Sequence, residues 1–361
     1  MKIAVNRKHF LGLVDRVASA AASGRVNNEV LKFVRVDASE RLTVQATDGE
    51  VSIVVDGDAE IEQAGSALID PVKFVALVKE STAEIVTIEA TDSGINVAAG
   101  KSRFSLPAVS ADQFPRCKRI EGDWITTQAE QLIGAINRTK FACDTDSTRY
   151  QLGGVLVETG EQLTLVATDG RRLSKICIES TSDPKAGSAA IVPHKGLAAI
   201  VKAISGASDV SIHISKNSIC VATEAAYVES RIIEGRFPAY DKYIPAMVSM
   251  RTIPIEAGPF VSAMRQALVV ANAEHRAVTL AFSPGELGIS AKASDVGVVD
   301  TSMPVDTSET ITTIIDGRFV ADFAERCGSD EVFELRLKSE SEPAVFIAGQ
   351  WTYVVMPMAR S

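Results

Sequence analysis

At 361 residues the chain exceeds what one hydrophobic core ordinarily organises, so two or three domains are expected. It is 46% hydrophobic, 23% charged and 6% aromatic, globular proportions that exclude disorder. A net charge of −9 excludes indiscriminate nucleic-acid binding, so any contact with DNA requires positive charge gathered on one surface.

The opening residues, MKIAVNRKHF, hold no apolar run followed by a cleavage site, so no secretory signal is expected. The longest apolar stretches, such as Gly196–Ile204, fall short of the roughly 20 residues a membrane helix needs. A cytoplasmic location without a membrane partner is the expectation. The five cysteines (Cys117, Cys143, Cys177, Cys220, Cys327) are odd in number and lack a C-x-x-C pair. They read as small buried apolar residues in a reducing compartment, not as disulfides or zinc ligands. His9, His194, His213 and His275 show no ligand spacing, so neither metal nor cofactor is expected.

In chain order, NRKHFLGLVDRVASAA from Asn6 places Phe10, Leu13, Val14, Val17 and Ala21 at helical spacing, predicting one apolar face. LTVQATDGEVSIVV reads as a strand leading into a polar turn at Asp48-Gly49. ALIDPVKFVALVKES is a short strand opening into a helix. Its Pro71 suits the first turn, where a missing N–H costs nothing. IVTIEA and GINVAAG form a hairpin turning at Gly94, and a strand closing on Phe114-Pro115 ends the unit.

The same order then returns. TTQAEQLIGAINRTKFAC from Thr126 is followed by LTLVATDGRRLSKI, AIVPHKGLAAIVKAI and a close at Phe237-Pro238. IEAGPFVSAMRQALVVA from Ile255 is followed by LGISAKASDVGVVD, TIIDGRFVADFAERC and Met356-Pro357. Phe10, Leu132 and Phe260 lie 122 and 128 residues apart; Asp48, Asp169 and Asp295 lie 121 and 126 apart. The helix starts Pro71, Pro193 and Asp316 are separated by 122 and 123. Four landmarks in one order and nearly one period predict three tandem α+β repeats, each with two helices packed on antiparallel sheet. The expected domains are 1–120, 121–247 and 248–361, with seams near Glu121 and Met247.

Over the helical windows 7–19, 71–80, 128–140, 193–203, 258–270 and 316–326 the charge is +6, leaving −15 elsewhere. Sparse cations on one surface and acid elsewhere suit loose, sequence-blind contact with DNA phosphates. The competing explanation is that solvent-facing helix positions simply carry lysine and arginine.

Three segments are more specific: VATDGRRL (Val166–Leu173), GRFPAYDKYIP (Gly235–Pro245) and YVVMPM (Tyr353–Met358). At this spacing in a threefold repeat, the chain resembles the bacterial β sliding clamps, the β subunits of DNA polymerase III, over essentially its whole length. The resemblance implies a non-catalytic processivity factor for DNA replication. Two chains would form a head-to-tail homodimeric ring, helices lining the hole and sheets outside. It would encircle duplex DNA through backbone contacts that do not read sequence. By position it implies that Arg25, Lys73, Arg149 and Lys195 face DNA, with His194 standing where a basic residue is usual. It also implies one apolar pocket per chain, lined by Leu152, Thr168, Gly170, Arg171, Arg172, Leu173, Pro238, Lys242, Tyr243, Val345, Val354, Met356, Pro357 and Met358. That pocket would take short peptides of the polymerase III α subunit, the clamp loader, repair polymerases and ligase. At the ring interface, Phe104 and Leu106 would meet the partner's Leu268 and Val269, with Lys101 and Arg103 near acids such as Asp300. Two stretches depart from the pattern: RVNNEVLKF lacks a proline-rich approach to the second strand, and the tail ends Ala359-Arg360-Ser361.

Two other classes compete with this reading. An enzyme needs a reactive constellation, and Asp144 and Asp146 in CDTDST form only a D-x-D in a polar loop. No G-x-S-x-G elbow and no phosphate-binding glycine loop is present. A peptide-binding scaffold that keeps the fold without encircling DNA would show peptide binding but no DNA stimulation.

Overall fold

The computed structural model describes residues 1–120, 122–146, 149–180, 187–271 and 276–359. His275, the seam residue Glu121 and the tail residues Arg360 and Ser361 lie outside the described residues.

Among the described residues, each α-helix grows out of the end of a strand. The strands Lys2–Asn6, Gly65–Ile69, Ile125–Gln128, Ala189–Pro193, Arg251–Glu256 and Ile311–Asp316 lead into α1 (Arg7–Ala18), α2 (Pro71–Lys79), α3 (Ala129–Thr139), α4 (His194–Ile204), α5 (Ala257–Val270) and α6 (Gly317–Ala324). Where the junction residue carries a short polar side chain, it caps the helix. Asn6 accepts from the His9 N–H at 3.1 Å, Asp70 from Val72 and Lys73, and Asp316 from Arg318. Pro71 is the first helical residue, as expected. Pro193 differs: it is the last strand residue, in an extended conformation with no cap bond, and α4 starts at His194. The fold is α+β, built from three tandem repeats of this strand–helix pair of pairs.

The chain divides into two compact units, one chiefly residues 1–133 and 192–232, the other chiefly 134–179 and 233–359. The first holds α1, α2, α4 and two antiparallel sheets. Its five-stranded sheet runs Glu60–Gln63, Lys2–Asn6, Ile85–Thr91, Gly94–Ala99, Ser102–Leu106. The predicted hairpin is the pair Ile85–Thr91 and Gly94–Ala99, closing at Thr91 opposite Gly94. Its eight-stranded sheet runs Ile125–Gln128, Asp209–Ile214, Ser218–Ala222, Ala226–Arg231, Val51–Gly57, Leu42–Thr47, Val34–Ala38, Gly65–Ile69. Strands of the first and second repeats join there, with Val228 opposite Ile53. The core below α1 is Phe10, Leu13, Val14 and Val17, with Phe10 edge-on to Phe74 at 5.3 Å. The helix stops at Ala18, so Ala20 and not Ala21 completes the buried stripe.

The second unit holds α5, α6 and most of another eight-stranded sheet: Ala189–Pro193, Gly154–Glu158, Leu163–Thr168, Arg172–Ile178, Trp351–Val355, Ala344–Ala348, Val332–Leu337, Arg251–Glu256. A four-stranded sheet runs Gly297–Pro304, Glu286–Ala293, Ala277–Ser283, Ile311–Asp316. An aromatic cluster fills the core, with Phe323 stacked on Tyr353 at 5.3 Å and tilted against Trp351 at 4.3 Å.

The apolar–proline pairs behave differently from one another. Met356-Pro357 directly follows a strand, whereas Phe114-Pro115 and Phe237-Pro238 lie in loops well past the last strand of their repeats. The phenylalanines are buried all the same, Phe237 in an apolar cluster with Leu156 and Tyr240, and Phe114 in a loop that side chains strap down. In that loop, Arg35 Nη1 donates to the Ala111 carbonyl at 2.8 Å and Gln45 Nε2 to the Pro115 carbonyl at 2.9 Å. No described helix is long and apolar enough to cross a membrane.

Candidate functional site

The VATDGRRL segment is a strand, a tight turn and a second strand. The turn forms because Asp169 Oδ1 accepts from the Arg171 and Arg172 N–H groups at 2.9 and 3.0 Å. Gly170 between them has φ +86°, a backbone state that glycine adopts without steric cost. Asp48-Gly49 repeats this device in the first repeat. From the turn, Leu173 stands opposite Val354 on the neighbouring strand, and Val354 stands opposite Val345.

Above these strands lies a cavity of about 200 Å³ lined by Leu152, Thr168, Gly170, Arg171, Arg172, Leu173, Pro238, Tyr240, Tyr243, Val354 and Met356. Four separate segments therefore converge: Leu152 on the helical turn Tyr150–Leu152, the Asp169 turn, the 235–245 stretch and the C-terminal strand end. Ten of the fourteen expected pocket residues line this cavity. Val345 is fully buried in the layer beneath, with Leu156, Val166 and Ile191. Pro357 and Met358 line an adjoining cavity with Arg171, Asp316, Arg318, Phe319 and Met356. The two cavities share Arg171 and Met356. Lys242 does not line either; it sits exposed on the helical turn Tyr240–Tyr243. Met356 and Tyr243 leave 47% and 64% of their surface open, apolar area that a ligand would remove from water.

The wall is held in place because every nitrogen of Arg172 donates a hydrogen bond. Its Nε donates to Asp169 at 2.9 Å, its Nη1 to Asp322 at 2.7 Å and its Nη2 to the Phe141 carbonyl at 2.6 Å. The guanidinium also lies over Phe319 at 4.3 Å, and Arg326 covers Phe141 at 4.0 Å. Burial opposes its charge, but Tyr353, Asp322 and Asp169 outweigh that and hold its pKa above the usual arginine value. Burial likewise pushes the Tyr240 phenol up, helped by its 2.6 Å hydrogen bond to Glu158. Tyr240 is therefore a neutral donor that holds one side of the cavity in place.

Two of the open sheet edges carry residues expected at the ring interface. In the first unit the edge strand Ser102–Leu106 carries Arg103, Phe104 and Leu106, with Lys101 in the preceding turn. In the second unit the edge strand Gly297–Pro304 carries Asp300 and an exposed Val298, and α5 packs on this strand. On α5, Val269 is 77% exposed whereas Leu268 is half-buried.

Two family models match the chain: the DNA polymerase III beta subunit N-terminal domain over residues 1–118 and its central domain over 126–239. Together they cover well over half of the sequence. The chain belongs to the DNA polymerase III beta subunit family. Members are sliding clamps, non-catalytic processivity subunits. A beta sliding clamp of Chlamydia muridarum is 26% identical over 364 residues, covering 99% of each chain. The solved polymerase sliding clamp of Bacillus subtilis superposes with a TM-score of 0.92 at 22% identity, covering 100% of both chains. A Bartonella birtlesii clamp bound to griselimycin superposes at 0.90 with 25% identity and the same coverage.

The candidate DNA-facing cations of this clamp-family chain fall in both units. Arg25 is exposed in the loop after α1. Lys73 lies on α2 and pairs with its cap Asp70 at 3.3 Å; Lys195, on α4, is ion-paired with Asp48. Arg149, in the second unit, is exposed, and its Nη1 lies 3.2 Å from where a Gly170 Cβ would stand. It thus borders the cavity. Tyr240 was not among the expected residues although it lies in the quoted 235–245 stretch, two residues after Pro238. Asp322, Phe141 and Arg326 behind Arg172 carry no local signal at all.

Proposed function

We propose that two copies of this chain close head to tail into a ring around duplex DNA, and that partner peptides anchor in the apolar cavity. The observation that carries the reading is convergence: three segments far apart in sequence, each resembling a clamp motif, meet with Leu152 around one open apolar cavity. The domains proposed are 1–120, 121–247 and 248–361, in keeping with the matched ranges 1–118 and 126–239.

The homodimer is supported by the two open edges, one bearing Lys101 and Arg103 and the other Asp300. Pairing them would satisfy backbone groups that an exposed edge leaves bare. Phe104 and Leu106 would then face Leu268 and Val269 of the second copy. Arg25, Lys73, Arg149 and Lys195 would contact phosphates, sparse enough to allow sliding. The proposed peptide site takes in the cavity liners together with Lys242, Val345, Pro357 and Met358, and its partners are the polymerase III α subunit, the clamp loader, repair polymerases and ligase. Adaptable methionine at the rim suits ligands of several shapes. The proposed location is cytoplasmic, where replication takes place.

Small-angle scattering at known concentration tests the assembly. Twice the chain mass of 38.4 kDa, with the distance distribution of a hollow ring, is the expected result. A compact monomer at high concentration would remove the ring and leave a peptide-binding scaffold.

A further inference from the structure

We propose that Asp15 and Asp48 restrain the grip of α4 on DNA, each holding one of that helix's two lysines in an ion pair that a phosphate must displace. The inference rests on reading α4 as part of the DNA-facing surface and adds the acids that set how firmly it holds.

Helix α4 carries Lys195 and Lys202 and no acidic residue. Each lysine nevertheless meets a carboxylate supplied by the first repeat, all within the first compact unit. Lys202 pairs at 3.1 Å with Asp15, the only acid on α1, and Lys195 pairs with Asp48 in the aspartate–glycine turn. Arg16, next to Asp15, donates to the Ser205 carbonyl at 3.3 Å at the end of α4.

The two oxygens of Asp48 have separate tasks. Oδ1 accepts from the Glu50 and Val51 N–H groups at 2.9 Å, which fixes the turn, and Oδ2 is left to Lys195. The Asp48 side chain is 9% exposed against 46% for Lys195. The carboxylate is thus anchored while the ammonium sits on a flexible, solvated stem, so the lysine is the partner that can move. Asp70 repeats the arrangement on α2: Oδ1 caps the helix through the Val72 and Lys73 N–H groups, and Oδ2 lies 3.3 Å from Lys73 Nζ. Asp15 is the looser member, exposed on α1.

An ammonium engaged with a carboxylate neutralises a phosphate only by giving up that partner, and the carboxylate left behind repels the same phosphate. Each pair therefore subtracts from the affinity that the lysines alone would supply. A sliding ring requires such loose contact, because a lysine that returns to its aspartate releases one phosphate before it takes the next.

Anisotropy of a short fluorescein-labelled duplex with open ends, onto which a ring can thread, tests this with the full-length protein over a salt series. D48N keeps the Oδ1 acceptor that the turn needs; D15N changes an exposed helix position and carries the test by itself should D48N lose the turn. D48N is expected to bind about fivefold more tightly and D15N about twofold, the scale of one partly exposed ion pair. The slope of log affinity against log salt should steepen by about one in D48N, as one more phosphate is neutralised. Most of the D48N gain should disappear in a K195Q background, and most of the D15N gain in K202Q; a pair that only ties α1 to α4 would show neither gain. E50Q removes the same charge from the same turn without freeing a lysine, so its gain should be smaller. Lysine variants that weaken binding while D48N and D15N fail to tighten it, or an E50Q gain as large as that of D48N, overturn the inference and leave α4 on the DNA-facing surface. If K195Q and K202Q bind as wild type does, α4 does not meet DNA, and that reading falls together with this inference.

Discussion

Arg172 shows how a single side chain sets a binding wall. Its guanidinium links the Asp169 turn, the Phe141 backbone and Asp322 on α6. Arg172→Ala is expected to cost about 2 kcal/mol, below the roughly 3–5 of fully buried pairs, because Asp322 is more than a third exposed. Urea denaturation reads this as a lowered midpoint, and an unchanged midpoint would show the network to be ornamental. Met356 is the better probe of binding. Truncation from Tyr353 would remove most of a strand paired on both sides, so loss of binding would report unfolding. Met356→Glu changes only the half-exposed rim and should weaken peptide binding at least about tenfold, the scale of one buried apolar anchor. The cysteines yield a pH prediction. Burial pushes the Cys117, Cys143 and Cys327 thiols up to about 12 from 9.0, so folding favours the neutral form. Their contribution to stability is complete below pH 9 and is lost as pH rises from 9 toward 12. Thermal melts should fall across that window, and iodoacetamide at pH 8 should label these thiols far faster in urea than in buffer.

The elements proposed to carry assembly are the edge strands Ser102–Leu106 and Gly297–Pro304. Each has one row of backbone groups without a sheet partner, and each carries charge of opposite sign to the other. Val269, open on α5, separates interface from core more cleanly than Leu268, whose Cδ2 packs against the backbone at Gly317. Val269→Asp should give monomers with an unchanged melting temperature by sedimentation; a persisting dimer would reject this face. Arg103→Glu alone should weaken the dimer, and adding Asp300→Arg should restore it. Failure of the second change to rescue the first would place those charges elsewhere.

For the whole molecule, the question is how a chain of −9 holds polyanionic DNA. Basic residues outnumber acidic ones on α1, α2, α4 and α5. Two candidate contacts are already partnered, Lys73 with Asp70 and Lys195 with Asp48, which keeps the free positive charge sparse. Lys73→Glu and Arg25→Glu should each lower DNA affinity and reduce the slope of log affinity against log salt by about one for each phosphate no longer neutralised. Unchanged slopes would mean that these helices do not meet phosphate.

The helix starts at Pro71 and Asp316, the helical stripes and the aspartate–glycine turns were legible in the sequence because they are local, and the repeats because the same signals return in the same order. A cap needs one short polar residue, a turn needs one glycine at positive φ, and an amphipathic face needs only regular spacing. Ten of the residues that line the cavity were named only through the family resemblance, since Val354 and Leu173 by themselves look like any strand interior. The tertiary structure alone decided the rest. It brought Tyr240 and Arg149 to the cavity, placed Val345 beneath it, and locked Arg172 through Asp322 on α6. Those relations depend on long-range strand pairing such as Leu173 with Val354, and no local propensity encodes which distant partner a strand will take.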